Sequence, residues 1–417
     1  MSFANSSLAI WAIALLATAG VIVRPFKWPE AIWAVAGAAL LVVAGLMPPR
    51  AALGAVGKGG DVYLFLAGMM LLSEVARREG LFDWLAAHAV RAARGSTRRL
   101  FFLVYGVGVA VTAILSNDAT AVVLTPAVFA ATSKARVDPL PFLFICALVA
   151  NAASFVLPIS NPANLVVYDG RMPALPIWLA HFFVPSLFAI ATTFFALRWA
   201  ERRRLGTECS AAVDTPSLSS SGRIAFAGIA ATALVLLAVS AFDVALGLPT
   251  AIMGIATFAI VLMFERKAPW PVLKHVSWSI LPLVAGLFVL VEAVARTGAI
   301  AQLSRVLQAS AAHSQTVTAA AAGGTVALAA NLINNLPAGL VASAALAHAP
   351  QRVIDSVLIG VDLGPNLSVT GSLATILWLA AIRREGEDVN FWRFLKVGAL
   401  VMPPALVAAL AARLFIC

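Results

Sequence analysis

Residues 114–126 read ILSNDATAVVLTP, and residues 332–343 read LINNLPAGLVAS. Each sets a polar core, Ser116-Asn117-Asp118 or Asn334-Asn335, inside a long apolar run. In a water-soluble chain such a stretch is an ordinary loop. In a chain this apolar it falls at membrane depth, where an unpaired polar group costs several kcal/mol and lipid-exposed irregular backbone does not occur. A break of this kind survives where it lines a cavity or binds a ligand. Two breaks at matching places in two halves of a chain point to a transporter's binding site.

The surrounding composition sets that depth. The 417 residues are 61% hydrophobic and 12% charged, against about half and about a quarter in a soluble domain, and the mean hydropathy is +0.94. Many apolar runs approach the roughly 20 residues that span a bilayer as helix, and the alternating strands of a membrane barrel are absent. The expected fold is an all-α polytopic membrane protein. Its net charge of +10 does not indicate nucleic acid, because the Lys and Arg residues sit in short loops between apolar segments. The first 23 residues carry no charge, so residues 8–23 read as a first spanning helix and not as a cleaved signal.

Spanning segments are expected at about 7–24, 29–47, 61–78 and 176–199 in the first half, and at 223–241, 246–265, 277–296 and 392–416 in the second. Residues 81–99 and 300–312 suit interfacial helices. Two-legged segments at 100–133 and 315–349 carry the polar cores at their tips. Segments 139–168 and 352–382 are apolar but interrupted. The first break holds Pro158, Ser160, Asn161, Pro162 and Asn164. The second holds Asp362, Gly364, Pro365, Asn366, Thr370, Gly371, Ser372 and Thr375. Prolines and glycines free carbonyls and N–H groups at such breaks, and half-helix ends present partial charges. Residues 200–222 are the one clearly polar linker, dividing the chain into 1–199 and 223–417.

The halves repeat at a shift of 218. LAGMMLLSEVARREG (66–80) lies on VAGLFVLVEAVARTG (284–298), with Gly68, Glu74, Arg78 and Gly80 meeting Gly286, Glu292, Arg296 and Gly298, and Asn117 falls on Asn335. If each two-legged segment is a re-entrant hairpin, each half crosses the membrane five times. Five is odd, so the halves insert as inverted-topology repeats. With both termini outside, 22 of the 29 Lys and Arg residues fall on the inside, as the positive-inside rule requires. The outer face keeps Arg50, Lys58, Arg171, Arg296, Arg305, Arg352 and Arg413.

The hairpin tips supply hydroxyl and amide donors and acceptors from Ser116, Asn117, Thr120, Asn334 and Asn335; the broken helices add Asn161, Asn164, Thr370, Gly371 and Ser372. Pro158, Pro162, Gly364, Pro365 and Asn366 open the helices. Asp118 and Asp362 are carboxyls within apolar segments, where a charge is costly and a functional role is the default; either can carry a coupling proton. Glu74 and Glu292 each have Arg four residues on, at Arg78 and Arg296, a spacing that suits a local ion pair. The five histidines form no cluster, and Cys146, Cys209 and Cys417 lack metal-ligand spacing, so no metal or cofactor is expected. There is no P-loop, Ser/His/Asp or HExxH arrangement, which disfavours an enzyme.

LSNDATAVVLTP (115–126), NLINNLP (331–337) and especially IGVDLGPNLSVTGSLATILWL (359–379) resemble the ArsB arsenite permeases of the ion transporter superfamily, and the likeness runs from the first helix to the last. Val369 stands where some members carry proline. The resemblance implies scaffold and transport subdomains, elevator movement, a homodimer in many relatives, and efflux of arsenite and antimonite through the cell inner membrane in exchange for protons, sometimes with a separate ATPase subunit. The residues fit that cargo. Arsenite near neutral pH is mostly As(OH)3, an uncharged trihydroxide that needs hydrogen-bond partners and no counter-ion. A trithiolate site would need three converging cysteines. A sodium- or proton-coupled carboxylate carrier of the same fold is the alternative; a passive channel would need no titrating carboxyl.

Overall fold

The computed structural model describes residues 3–168, 172–206, 208–210 and 217–416. Arg171, Cys417 and residues 207 and 211–216 of the linker lie outside the described residues. Among the described residues the secondary structure is helical, apart from a single bridge between Ser96 and Glu208. The first half runs α1 (Phe3–Val23), α2 (Glu30–Val43), α3 (Pro49–Lys58), α4 (Gly60–Arg78), α5 (Leu81–Ala93), α6 (Thr97–Ile114), α7 (Thr125–Lys134), α8 (Leu140–Ala152), α9 (Pro162–Tyr168) and α10 (Leu175–Ala200). The second runs α11 (Ser220–Ala241), α12 (Gly247–Glu265), α13 (Trp270–Leu273), α14 (Ile280–Arg296), α15 (Ala299–His313), α16 (Gln315–Ile333), α17 (Asn335–Ala345), α18 (Gln351–Leu363), α19 (Leu373–Arg384) and α20 (Phe391–Phe415). Ten helices recur in the same order as ten.

The packing follows the repeat. α4 lies on α12 as α14 lies on α2, α6 on α8 as α16 on α18, α7 on α19 as α17 on α9, and α10 against α20. Equivalent pairs cross between halves, so the halves interlock. The repeated glycines explain why. A Cβ at Gly68 would sit 2.3 Å from the Thr250 carbonyl oxygen, and one at Gly286 would sit 2.7 Å from the Ala34 carbonyl carbon. Both crossings therefore exclude a side chain, the close backbone approach that membrane helices obtain from small residues. Gly80 and Gly298 recur for a different reason. They enter α5 and α15 with φ of +72° and +85°, a region that glycine adopts without penalty.

Seven helices among the described residues are long and apolar enough to cross a membrane, or up to nine if two bent pairs count as single spans. Leu16, Phe195, Leu234 and Ile252 are exposed on the outer surface. Such a surface belongs in hydrocarbon, and the protein is a multi-pass membrane protein. The return leg α17 has 11 residues, a length of about 16 Å, half of the roughly 30 Å hydrocarbon core.

Two expectations change. The segment expected over 29–47 ends at Val43, and a separate helix, α3, follows; Gly45 at φ +69° turns the chain, and Pro49 starts the new helix at its first position. Glu74 pairs with Arg77 at 2.6 Å, not with Arg78, because both i+3 and i+4 neighbours share its helix face. Glu292 does bond Arg296 at 3.3 Å, and it also holds Lys58 at 2.8 Å.

Candidate functional site

The polar breaks converge on one small chamber. Asn117 and Asp118 from the first hairpin, Asn161 and Pro162 from the first broken helix, Asn335 and Leu336 from the second hairpin, and Leu373 and Ala374 from the second broken helix line it, with Leu66 and Ile280 closing the side. It has room for about one water-sized molecule, ≈ 10 Å³. The starts of α17 and α19 both face it, so their positive dipole ends point toward it.

Each tip is held by its own side chains. Asn117 Oδ1 accepts from the Asp118 N–H at 2.9 Å, and Ser116 Oγ from the Ala119 N–H at 3.2 Å. The return leg then begins with a π-helical stretch, Ala119–Leu124, of the kind frequent at functional sites. Asn334 sits at φ +73°, ψ +153°, a conformation that is essentially glycine's alone and that costs of order 1–3 kcal/mol. It persists because the tip is tied on both sides: Asn334 Oδ1 caps the Leu336 N–H at 3.4 Å, and its Nδ2 donates to the Thr370 carbonyl at 3.4 Å.

The broken helices are joined to one another. Asn161 Nδ2 donates to Asp362 Oδ1 at 2.7 Å, and Asn161 Oδ1 caps the Ala163 N–H at 3.0 Å. Asp362 therefore stands one hydrogen bond behind the chamber. It is fully buried, and its Oδ2 has no hydrogen-bond partner; Asn335 Oδ1, at the chamber, has none either. Buried acceptors left open are rare.

Other expected site residues are engaged elsewhere. Thr120 shares a hydrogen bond with Thr112 at 2.8 Å. Asn164 Nδ2 donates to the Ser154, Leu157 and Pro158 carbonyls, satisfying the backbone of the first break. Ser372 caps α19 in a reciprocal box with Thr375. Thr370 bonds the Asn331 carbonyl at 3.1 Å, and Gly371 leaves no space for a Cβ, which would meet Asn331 Oδ1 at 2.7 Å. Asn366, beside Gly364 and Pro365, bonds Asn151 at 3.0 Å and the Leu148 carbonyl at 2.9 Å. These residues set the shape of the breaks.

The sequence reading passed over Asn331. Its Nδ2 donates to the Ala327 and Gly364 carbonyls, and its Oδ1 accepts from the Ser368 N–H and hydroxyl. One amide thus fastens the second hairpin to the second broken helix. Its place in NLINNLP, three residues before the tip, is the signal that was there. Also passed over is a buried network in which Asp355 bonds Arg413 at 2.5 Å, Tyr168 at 2.5 Å, Gln351 at 2.7 Å and His181 at 3.1 Å. Only Gln351 is near Asp355 in sequence.

Beside the chamber opens a larger cavity of about 600 Å³, sharing Leu66, Asp118, Pro162 and Ile280 with it. Glu74, Arg77, Lys274, His275 and Arg384 line this vestibule. The arrangement is that of a narrow polar chamber at the end of a wider cavity with charged walls.

Comparison with known proteins places the fold in a family. The arsenical pump membrane protein of Yersinia enterocolitica is 28% identical over 366 residues, 82% of this chain and 83% of its own. That of Escherichia coli K12 is 25% identical over 366 residues, with the same coverage of 82% and 83%. An uncharacterized transporter of Mycobacterium tuberculosis is 26% identical over 420 residues, 96% of this chain and 97% of its own. Among solved structures, the Alcanivorax borkumensis YdaH transporter, described as having an unusual topology, superposes with a TM-score of 0.60 at 16% identity over 98% of this chain and 97% of its own. It shares the fold. The family model for citrate transporters matches residues 10–381. With the arsenical pump proteins among its relatives, this membrane transporter belongs to the citrate transporter (CitMHS) family.

Proposed function

We propose that the chain exports arsenite and antimonite across the cytoplasmic membrane in exchange for protons. The observation that carries this reading is the chamber itself: amides from Asn117 and Asn335, related by the repeat, face a space with one carboxyl, Asp118, and no cation. As(OH)3 offers three hydroxyls that donate to Asn oxygens and Asp118 and accept from amide and helix N–H groups. The open Asn335 Oδ1 is such an acceptor. The names of the arsenical pump relatives support the same cargo.

Asp118 and Asp362 are the coupling groups in this reading. A carboxylate out of water is costly, so each holds or yields a proton according to which side the site faces and what occupies it. The vestibule, with Arg77, Lys274 and Arg384, is the cytoplasmic entry, and both termini lie outside. Residues 1–199 and 223–417 are inverted repeats about the cytoplasmic linker 200–222. The hairpins and broken helices move as an elevator against α2, α4, α12 and α14. A homodimer and a separate ATPase subunit follow from the resemblance alone.

A second reading, export or import of a carboxylate anion, draws support from the family model and from the helix starts at the chamber. The presence of Asp118 at the chamber and the lack of a cation there oppose it. Uptake of arsenite into everted membrane vesicles, with a proton gradient imposed and then collapsed, tests the proposal: accumulation that disappears with the gradient supports it, and uptake of citrate with indifference to arsenite supports the second reading.

A further inference from the structure

At the end of α4 remote from the vestibule lies another cavity, of about 230 Å³. Glu74 and Arg77 line the vestibule near the last turns of α4, while Asp61 lines this cavity from its first turn. The helix rises about 20 Å between Asp61 and Glu74. The cavity therefore lies toward the opposite side of the membrane.

Its polar side chains suit a cation. Asp61 and Asp243 bring two carboxylates and Ser240 a hydroxyl. Among the described residues no Lys, Arg or His lines it, and Leu165, Met172 and Pro173 supply apolar wall. Asp61 Oδ1 accepts from the Gly247 N–H at 2.7 Å, which offsets the positive start of α12, and a carboxylate has lone pairs to spare beyond one such bond. Asp243, in the turn between α11 and α12, is exposed. α11 ends here, with Ser240 in its last turn, so its negative dipole end is close by.

Ser240 is the second, independent sign. It is 3% exposed, and its Oγ has no hydrogen-bond partner. Helix hydroxyls commonly bond the carbonyl four residues back, as Thr232 does to Gly228 and Thr250 to Leu246 in the neighbouring turns. Ser240 does not, and buried hydroxyls left open are rare. We propose that Asp61, Asp243 and Ser240 bind a hard divalent cation, Mg²⁺ or Ca²⁺, which links α4 to the turn between α11 and α12 on the side opposite the vestibule. Such ions take oxygen ligands, and Mg²⁺ in particular is held by one or two carboxylates while keeping several of its waters. Two carboxylates balance its charge, and the volume admits the ion with part of its shell. The site touches neither the chamber nor the cargo, so it stands apart from the transport proposal.

The test uses the full-length protein, purified in detergent and stripped with a chelator. Its melting temperature is followed as MgCl₂ or CaCl₂ is added, against NaCl at equal ionic strength, and Mn²⁺ binding is read by electron paramagnetic resonance. The expected results are a saturable rise of about 2 °C or more with the divalent ions alone, and an affinity for Mn²⁺ that falls about tenfold or more in Asp243→Asn and in Ser240→Ala. In chelator both variants should melt with the parent, since Asp243 is exposed and Ser240 Oγ bonds nothing. An equal rise with NaCl, or Mn²⁺ affinity within twofold of the parent in either variant, overturns the proposal. So does a Ser240→Ala protein that melts well below the parent in chelator, because the hydroxyl then serves the fold and not an ion.

Discussion

Asn161 and Asp362 are 201 residues apart in sequence and 2.7 Å apart in space. The bond joins the break of one half to the helix before the break of the other, just behind the chamber. Whatever changes the charge of Asp362 acts on Asn161, and Asn161 begins the backbone that lines the site.

Coupling should therefore separate from transport. Asp118→Asn or Asp362→Asn, or the pair, should leave exchange of arsenite down its own gradient partly intact and abolish accumulation driven by protons in everted vesicles. If both single variants and the double variant retain proton-driven uptake, neither carboxyl carries the coupling proton.

Asn117→Ala and Asn335→Ala should each weaken transport while leaving folded protein in the membrane. A hydrogen bond to a polar ligand is worth about 0.5–1.5 kcal/mol, a two- to twelvefold effect. Concentration dependence of arsenite uptake measures it, and an unchanged half-saturation in both variants would remove these amides from the site.

Replacing Cys146, Cys209 and Cys417 together with Ser or Ala should preserve arsenite resistance in cells. Cys146 and Cys209 are free and buried, with the habit of small apolar residues. Loss of resistance at normal expression would point to thiolate recognition.

Asn331→Leu should destabilise more than any chamber variant. It removes the amide that serves the Gly364 carbonyl and the Ser368 N–H, and each buried polar group left open costs about 1–3 kcal/mol. Thermal melting of the detergent-purified protein should show the loss, with Asn335→Ala close to the parent. Equal melting temperatures for Asn331→Leu and the parent would show that the amide carries no structural load.

The repeat was legible because its markers serve backbone geometry. Gly68 and Gly286 permit two close helix crossings, and Gly80 and Gly298 make two turns at positive φ that glycine adopts without penalty. The chamber was legible in Asn117, Asp118, Asn161 and Asn335, since polar groups in a span must line something. What could not be read was which polar residues serve the backbone. Asn164 and Thr370 look like ligands in sequence, yet a break of several residues leaves carbonyls and N–H groups that only neighbouring side chains can satisfy. The Glu74 partner was ambiguous because two arginines occupy adjacent positions on one face. The Asp355 network was invisible, since Tyr168, His181 and Arg413 reach it from three other helices and no spacing rule links them.

That network bears on how the protein can be handled. Arg413 lies in the last turn of α20, 3% exposed, with its charge set against a fully buried Asp355. Removing one partner of such a pair typically costs about 3–5 kcal/mol. Trimming the chain back past Arg413 should thus yield protein that cells degrade, whereas a fluorescent reporter appended after residue 416 leaves the pair whole. The last turn of α20 acts as a fastener on assembly: until that helix is synthesised and docked, the Asp355 carboxylate inside the bundle lacks its arginine.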